Sequence, residues 1–243
     1  MTGPFEGVRV VEVASWTFVP GAGAIMADLG ADVIKVEPPD GDPQRALRNA
    51  LNIDDSGPNP FLHVPNRGKR SITLNLATPA GLETLRRLTR NADVFLTNYL
   101  PKVRAKLGID VDDLRADNPR LVYVRGSGWG NTGPMADTGG FDSAAAWSAA
   151  GVQHKLTEPG ADAPVPQPAA FFDLQGSSAI AGAVAMALFR RERTGEGGVV
   201  DVSLLGTGMW TMGPDLAAAA AGAGELPRID RRDAPNPIVN LSR

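Results

Sequence analysis

The sequence contains no cysteine and only two histidines among its 243 residues. The absence of cysteine excludes disulfide bonds, thiolate metal ligands and a thiol nucleophile. The formal net charge is only −3, and the basic residues are spread along the chain. Such a distribution gives no field that would hold nucleic acid or an anionic membrane. We therefore expect no metal site, no nucleic-acid partner and no membrane partner.

The sequence also lacks a recognisable targeting signal. Its first seven residues carry no basic stretch followed by an apolar run, and no stretch is read as long and apolar enough to span a bilayer. The missing cysteines suit a reducing compartment, so we expect a cytoplasmic protein. The hydrophobic content of 43% is enough to bury a full core.

Short apolar strands alternate with helical stretches along most of the chain. Residues 8–13 and 33–36 read as buried strands on either side of a helix, and a helical crossover implies that the two strands are parallel. Residues 38–70 form a long connection with little periodicity. The predicted fold is α/β, a Rossmann-like and mostly parallel sheet flanked by helices. Residues 1–225 are assigned to one large domain and residues 226–243 to a linker.

The first strand, helix and strand are similar to a dinucleotide-binding unit that ends in an acidic residue, Glu37. However, Gly21 and Gly23 are followed by Met26 where the fingerprint requires a third glycine. Both glycines also lie inside the predicted helix start rather than directly after the strand. We therefore expect no nicotinamide cofactor.

Asp173 lies directly before the most regular predicted helix, residues 174–193. An aspartate at such a position accepts hydrogen bonds from the first free backbone N–H groups, and the helix dipole favours its ionised form. Taken alone, the pattern is that of a helix cap. A chemical role depends on the surrounding segments.

Those segments resemble the family III CoA-transferases, in the order that the family has them. They are residues 7–13, 29–37, 66–72, 173–178, 190–197 and 200–205, so the resemblance covers nearly the whole chain. It implies that Asp173 is a nucleophile that forms an acyl anhydride and then an aspartyl-CoA thioester. We expect helix-terminal N–H groups to stabilise the oxyanion and Gly176 to let the ligand approach the backbone.

The resemblance also implies which residues contact coenzyme A, and most of them follow strand ends, where open α/β sheets bind ligands. The expected contacts are Thr17, Phe18, Leu74, Asn75, Ala77, Asn98, Tyr99, Leu100, Lys106 and Phe141. Relatives can place basic residues at the positions of Pro38, Ala77 and Gly139. Nearby cations are candidates to replace them at the phosphates, namely Arg45, Arg48, Arg67 and Arg104.

Two alternatives to a transferase remain open. The related α-methylacyl-CoA racemases need two acid–base groups and carry a histidine before the aspartate, where this chain has Gly140-Phe141-Asp142. Neither His63 nor His154 falls at that position, and Asp142 is predicted to cap the helix that follows it. The second alternative is a truncated CoA-binding fragment without turnover, because relatives carry a small second domain that this sequence lacks.

The resemblance further implies acyl-CoA and a carboxylic acid as substrates and a homodimer as the assembly. In relatives the active site lies between two chains. The apolar helices after Leu174 are the candidate dimer surface.

Overall fold

The computed structural model describes residues 3–50, 53 and 57–227. Six strands form one sheet in the order β3-β2-β1-β4-β5-β6, and all five neighbouring pairs are parallel. This confirms the predicted α/β fold. The strands are β1 (Arg9–Val13), β2 (Asp32–Glu37), β3 (Arg70–Thr73), β4 (Val94–Thr97), β5 (Val122–Ser127) and β6 (Val199–Ser203).

Helices connect the strands and cover both faces of the sheet. They are α1 (Phe18–Asp28), α2 (Leu47–Ala50), α3 (Pro60–Asn66), α4 (Pro79–Thr89), α5 (Pro101–Leu107), α6 (Val111–Asp117), α7 (Val152–Leu156), α8 (Phe171–Thr194), α9 (Leu204–Thr211) and α10 (Gly213–Ala220). A 3₁₀ turn (Pro43–Ala46) precedes α2, and a π-helical turn (Ser143–Ser148) precedes α7. Apart from residues 226 and 227, the predicted linker lies outside the described residues.

The long connection after β2 is more ordered than its sequence pattern suggests. Asp42 caps the 3₁₀ turn and Asn59 caps α3, and each cap is followed by a proline at the first helical position. A side-chain cap and a proline with preset φ are enough to start a short helix that has no amphipathic repeat. The low periodicity of this connection therefore did not reveal its short helices.

The strands fill two hydrophobic cores, one on each face of the sheet. Val10, Val94 and Val122 lie in register and point towards α1 and α8. Phe95 and Tyr123 point to the other face, where they pack with side chains of α4 and α6. Burial of each such side chain contributes about 1.5–3 kcal/mol. A sheet covered on both faces has strands that read as unbroken apolar runs, which is why they are visible in the sequence.

Close packing of α1 on α8 sets the geometry of one sheet edge. A Cβ atom added to Gly21 would lie within 2.2 Å of Ser177 Oγ, so only glycine fits at this crossing. Ser177 Oγ lies 2.7 Å from the carbonyl oxygens of both Phe18 and Asp173. The N-terminal turns of the two helices are therefore held side by side.

Helix α8 corrects one expectation from the sequence. Its 24 residues are long and apolar enough, by length and composition, to cross a membrane, and 39% of the apolar window is buried. Core helices of globular proteins have the same character, and α8 packs against α1, β5, β6 and α9. The expectation that no stretch has this length and composition was wrong.

Candidate active site

The C-terminal ends of β1, β4 and β5 open onto a cavity of about 390 Å³, called here the Asp173 cavity. Loops at this edge of a parallel sheet are the usual place for a ligand. Six of the residues expected at the site line this cavity, namely Phe18, Asn98, Tyr99, Leu100, Phe141 and Asp173. These residues come from four separate parts of the chain and meet around one cavity.

A smaller cavity of about 140 Å³ lies beside it and is called here the Leu74 cavity. Leu74, Asn75 and Ala77 line it, together with Pro38 and Tyr99. Tyr99 also lines the Asp173 cavity, so this residue borders both spaces. The two groups of expected contacts, near residue 75 and near residue 99, therefore belong to one continuous region.

Two of the expected contacts lie elsewhere. Thr17 is 6% exposed, and its Oγ1 accepts a hydrogen bond from Gln44 Nε2 at 3.0 Å on the far side of the loop. Lys106 is exposed and does not line either cavity. Arg104, two residues earlier on α5, lines the Asp173 cavity and donates to Tyr99 O at 2.7 Å. Arg104 is therefore the cation that α5 brings to the site.

The other candidate phosphate ligands are engaged within the fold. Arg45 forms a bidentate ion pair with Glu37, with hydrogen bonds of 2.7 and 2.8 Å, and Arg67 forms an ion pair with Asp28. Arg48 donates to a main-chain carbonyl, that of Gly57. Of the four arginines considered from the sequence, Arg104 alone lines the Asp173 cavity.

Helix α8 begins at Phe171, so Asp173 lies in its first turn and not before it. Asp142 provides the cap instead, since its Oδ2 accepts from the N–H groups of Phe172 at 3.2 Å and Asp173 at 3.4 Å. The π-helical turn after Asp142 receives no side-chain cap from it. Both capping expectations were therefore wrong. The N–H groups expected to stabilise an oxyanion are already bound to Asp142.

The Asp173 carboxyl is partly buried and has no compensating partner. Burial is the main cause that raises its pKa to about 7, and the negative charge of Asp142 adds to the shift. No residue of the described ranges donates a hydrogen bond to this carboxyl or forms an ion pair with it. Desolvation and the charge of Asp142 therefore act against the ionised form, which the helix dipole favours.

The backbone around Asp173 is strained at two points. Trp16 has a φ of 68° and Ala170 a φ of 55°, and they are the only non-glycine residues with positive φ in the part of the chain that the structure describes. Each such conformation costs on the order of 1–3 kcal/mol and persists only where the surroundings impose it. The Trp16 ring meets Phe141 edge to face at 5.7 Å and forms one wall of the cavity.

A buried charge network holds the loop that carries Trp16. Lys35 Nζ contacts Glu12 at 3.1 Å, Asp42 at 2.9 Å and the carbonyl of Ala14 at 3.0 Å. Lys69 Nζ contacts the other Glu12 oxygen and the carbonyl of Pro20, both at 2.7 Å. Asp42 Oδ1 accepts from the N–H of Trp16 at 3.2 Å. We did not predict this network, although charged residues inside apolar strands are a signal for one.

The glycines shape the site by packing rather than by admitting a ligand. The space in front of Gly176 is filled by the Phe18 ring, which would lie 2.4 Å from an added Cβ, so the expected ligand approach there was wrong. In the loop of residues 126–140, Gly128 and Gly140 touch, and Trp129 Nε1 donates to Gly139 O at 3.1 Å. The glycine-rich loop therefore closes on itself beside the cavity.

The two histidines lie away from Asp173. His63 lines a separate polar cavity with Lys69 and Ser71, and His154 Nε2 lies 3.5 Å from Glu225 Oε2. Within residues 3–50, 53 and 57–227, no three acidic or histidine side chains are grouped as they would be to hold a metal ion.

Comparison with known proteins gives one consistent family. The model of CoA-transferase family III matches residues 5–243. Cinnamoyl-CoA:phenyllactate CoA-transferase of Clostridium sporogenes is 35% identical over 98% of this chain and 58% of its own length. Succinate–glutarate CoA-transferase of Agrobacterium fabrum is 39% identical over 83% of this chain and 51% of its own length. The chain thus spans little more than half the length of these curated relatives.

Solved structures agree with the sequence matches. A CAIB/BAIF family protein from Brucella suis superposes with a TM-score of 0.83 at 33% identity, over 94% of this chain and 60% of that one. Rv3272 from Mycobacterium tuberculosis superposes with a TM-score of 0.79 at 33% identity, over 90% of this chain and 58% of that one.

Proposed function

The chain belongs to CoA-transferase family III, and from this premise we propose that it moves coenzyme A from an acyl-CoA thioester to a carboxylic acid through Asp173. One observation carries the proposal. Asp173 is the only carboxylate among the described residues that line the 390 Å³ cavity, and no donor or cation of the fold pairs with it. A carboxylate in that state is available to react.

Coenzyme A would extend across the two adjoining cavities. Its nucleotide end would lie against residues 74–77, and its thiol arm would pass Tyr99 to reach Asp173. Tyr99 supports this path because it borders both spaces. Arg104 is the cation that lies along it, 5% exposed and oriented by Asp110 at 3.1 Å.

The first half of the reaction would leave coenzyme A on the protein. A carboxylate oxygen of Asp173 attacks the thioester carbon, the C–S bond breaks, and a mixed anhydride and CoA thiolate result. The thiolate then attacks the aspartyl carbon of the anhydride, and the first carboxylic acid leaves as its carboxylate. Asp173 now carries coenzyme A as a thioester.

The second half repeats these steps in reverse with the acceptor. The acceptor carboxylate attacks the aspartyl thioester, which releases CoA thiolate and forms a new anhydride. The thiolate attacks the acyl carbon of the acceptor, so that Asp173 is restored and a new acyl-CoA forms. No proton is gained or lost over the cycle, which suits a cavity that holds its reactants in place away from bulk water.

Trapping the covalent intermediate tests the proposal. The protein is incubated with acyl-CoA esters and hydroxylamine and examined by intact-mass and peptide mass spectrometry. We expect a hydroxamate at Asp173 in the wild type and in Asp137→Ala, an exposed aspartate of the glycine-rich loop. Asp173→Ala should give none and should lose at least about a thousandfold of any transfer activity. Equal labelling or activity in Asp173→Ala would refute the nucleophile.

Calorimetry with CoA separates the fragment alternative from the transferase. Binding without any hydroxamate would mean that this chain binds coenzyme A and does not turn over. The racemase alternative needs a second acid–base group opposite Asp173, and Phe141 occupies the position where those enzymes carry histidine. Exchange of the α-proton of an acyl-CoA in deuterated water would restore that alternative.

We also propose that the protein acts in the cytoplasm as a homodimer. Support for the dimer comes from apolar side chains on the outer surface of α8 and α9, where Met186 is 69%, Phe189 65% and Trp210 88% exposed. Light scattering should give the mass of two chains, and Trp210→Glu should shift the mass towards one.

A further inference from the structure

An open pocket of about 190 Å³, called here the acyl pocket, lies between α3 and the start of α8. Phe61, Val64 and Pro65 form its α3 side, and Leu174 forms its α8 side. Val64 is 45% and Leu174 42% exposed, so the pocket has an apolar rim. Nothing in the sequence pattern pointed to it, because α3 and α8 are more than a hundred residues apart.

The floor of the acyl pocket is polar but already satisfied. Thr17 and Gln44 form it and are 6% and 3% exposed. Gln44 Nε2 donates to Thr17 Oγ1 and to the carbonyl of Phe61, both at 3.0 Å. None of the described residues that line the pocket carries a charge. A second carboxylate placed there would lose its water without gaining a cation.

The acyl pocket and the Asp173 cavity share no lining residue, but neighbouring residues of the same two segments line them. Ala170 and Leu174 line the pocket. Asp173 lies in the same helical turn, three residues after Ala170 and one residue before Leu174. On the other side, Thr17 faces the pocket while its neighbours Trp16 and Phe18 line the cavity. Two short segments, residues 16–18 and 170–174, therefore form the common wall, and the reactive carboxyl belongs to that wall.

We propose that the acyl pocket binds the hydrocarbon part of the acyl group or acid whose carboxyl carbon reacts at Asp173. The substrates are then monocarboxylic acids with a compact apolar side chain, and dicarboxylic acids are poor substrates. An apolar cavity of about 150 Å³ accepts benzene, so this pocket suits a phenyl ring or a branched chain of about four to six carbons. The inference rests on the proposed function and adds its substrate class.

Binding of acyl-CoA esters tests this without requiring turnover. Calorimetry on the full chain compares 3-phenylpropanoyl-CoA, acetyl-CoA and glutaryl-CoA. For the wild type we expect 3-phenylpropanoyl-CoA to bind about tenfold or more tightly than acetyl-CoA, since each well-placed apolar group gains this much. Glutaryl-CoA should bind no more tightly than acetyl-CoA.

Variants of Val64 locate the effect. Val64→Arg should abolish the preference for 3-phenylpropanoyl-CoA and tighten glutaryl-CoA binding about tenfold, because it supplies a cation at the rim. Val64→Phe fills the space and should abolish the preference without helping glutaryl-CoA. Val199→Arg, at a residue with 40% exposure on β6, is the matched control and should behave as the wild type.

The outcomes separate the two claims. If the three esters bind equally to the wild type, or if neither Val64 variant changes their order, the acyl pocket is refuted while a hydroxamate at Asp173 still supports the transferase. If no CoA ester binds to the wild type, the proposed function fails and the acyl pocket fails with it. Thermal melting shows whether either Val64 variant is misfolded. If one is, the binding data of the other variant test the acyl pocket.

Discussion

Two regions at the same sheet edge each contain a buried carboxylate, and they differ in whether that carboxylate has a cationic partner. In the network around Lys35, Glu12 is fully buried and both of its oxygens contact lysines. The Asp173 carboxyl pairs with no donor or cation of the described chain, and the charge that shifts its pKa is that of another carboxylate, Asp142. A paired carboxylate holds backbone in place, whereas an unpaired one remains free to react.

The pKa values follow the same contrast. Hydrogen bonds from Arg45 are the main cause that lowers the pKa of Glu37 to about 2, with further bonds from Ser71 and the N–H of Asp42. Burial raises the pKa of Asp173 to about 7 because nothing offsets the desolvation. The two carboxyl groups belong to one protein and differ mainly in how many donors surround them.

Removing Glu12 should have the largest effect on stability. Glu12→Ala leaves Lys35 and Lys69 buried with one carboxylate fewer, which costs about 3–5 kcal/mol of unfolding free energy. Urea denaturation measures the loss. Glu83→Ala is the control, because Glu83 is more than half exposed in its pair with Arg90, and its loss should cost under about 1 kcal/mol. A small effect at Glu12 would contradict the structural role of the network.

Asp173→Asn should stabilise the fold instead. A folded-state pKa raised above the ordinary 3.8 means that wild-type stability falls as pH rises from about 4 to about 7. The neutral amide lacks this loss, so the variant should gain about 1–3 kcal/mol at pH 8, reduced by partial access to solvent. The gain should vanish below pH 4. Denaturation curves of the wild type and the variant at pH 8 and below pH 4 measure this difference. A variant less stable than the wild type at pH 8 would contradict the prediction.

Asp142 links the cap of α8 to the charge on Asp173. Asp142→Ala removes the acceptor for two N–H groups and should cost about 1–2 kcal/mol, whereas Asp142→Asn keeps an oxygen there and should cost less. Asp142→Asn should also move the pH midpoint of kcat/KM to lower values, because a negative charge beside Asp173 is lost. Unchanged midpoints would mean that burial alone sets the pKa.

Arg45 should show the smallest effect. Its side chain is 50% exposed, so Arg45→Met should cost only about 0.5–1 kcal/mol at pH 7. The lowered pKa of Glu37 makes this contribution present above the ordinary value of 4.5 and lost as pH falls towards 2. Equal stability losses at pH 7 and pH 2 would show that the arginine acts through packing alone.

The four central strands of the sheet were predictable because most of their residues are buried. Residues such as Val94 and Val122 belong to short apolar runs that need no partner to be recognised. The expected CoA contacts near residues 75 and 99 follow strand ends, and parallel strands bring those ends to one edge. These inferences depend on local pattern and on topology.

The remaining features depend on contacts between distant residues. Asp142 caps a helix that starts about thirty residues later. Helix α8 therefore begins three residues before its expected start, and the Asp173 carboxyl lies in its first turn without a donor. The same applies to the acyl pocket and to the pairing of Lys69 with Glu12. The hydrophobic periodicity of the sequence does not predict such contacts, because each contact joins residues from separate helices, strands or loops.

The ionisation of Asp173 is the most direct test of the whole account. Carbon-13 NMR of aspartate carboxyl groups, with Asp173→Asn used to assign the signal, measures that titration in the free protein without requiring turnover. We predict a midpoint near pH 7. A midpoint near the ordinary value of 3.8, or below it, would mean that donors stabilise the carboxylate and that Asp173 is not the unpaired group described here.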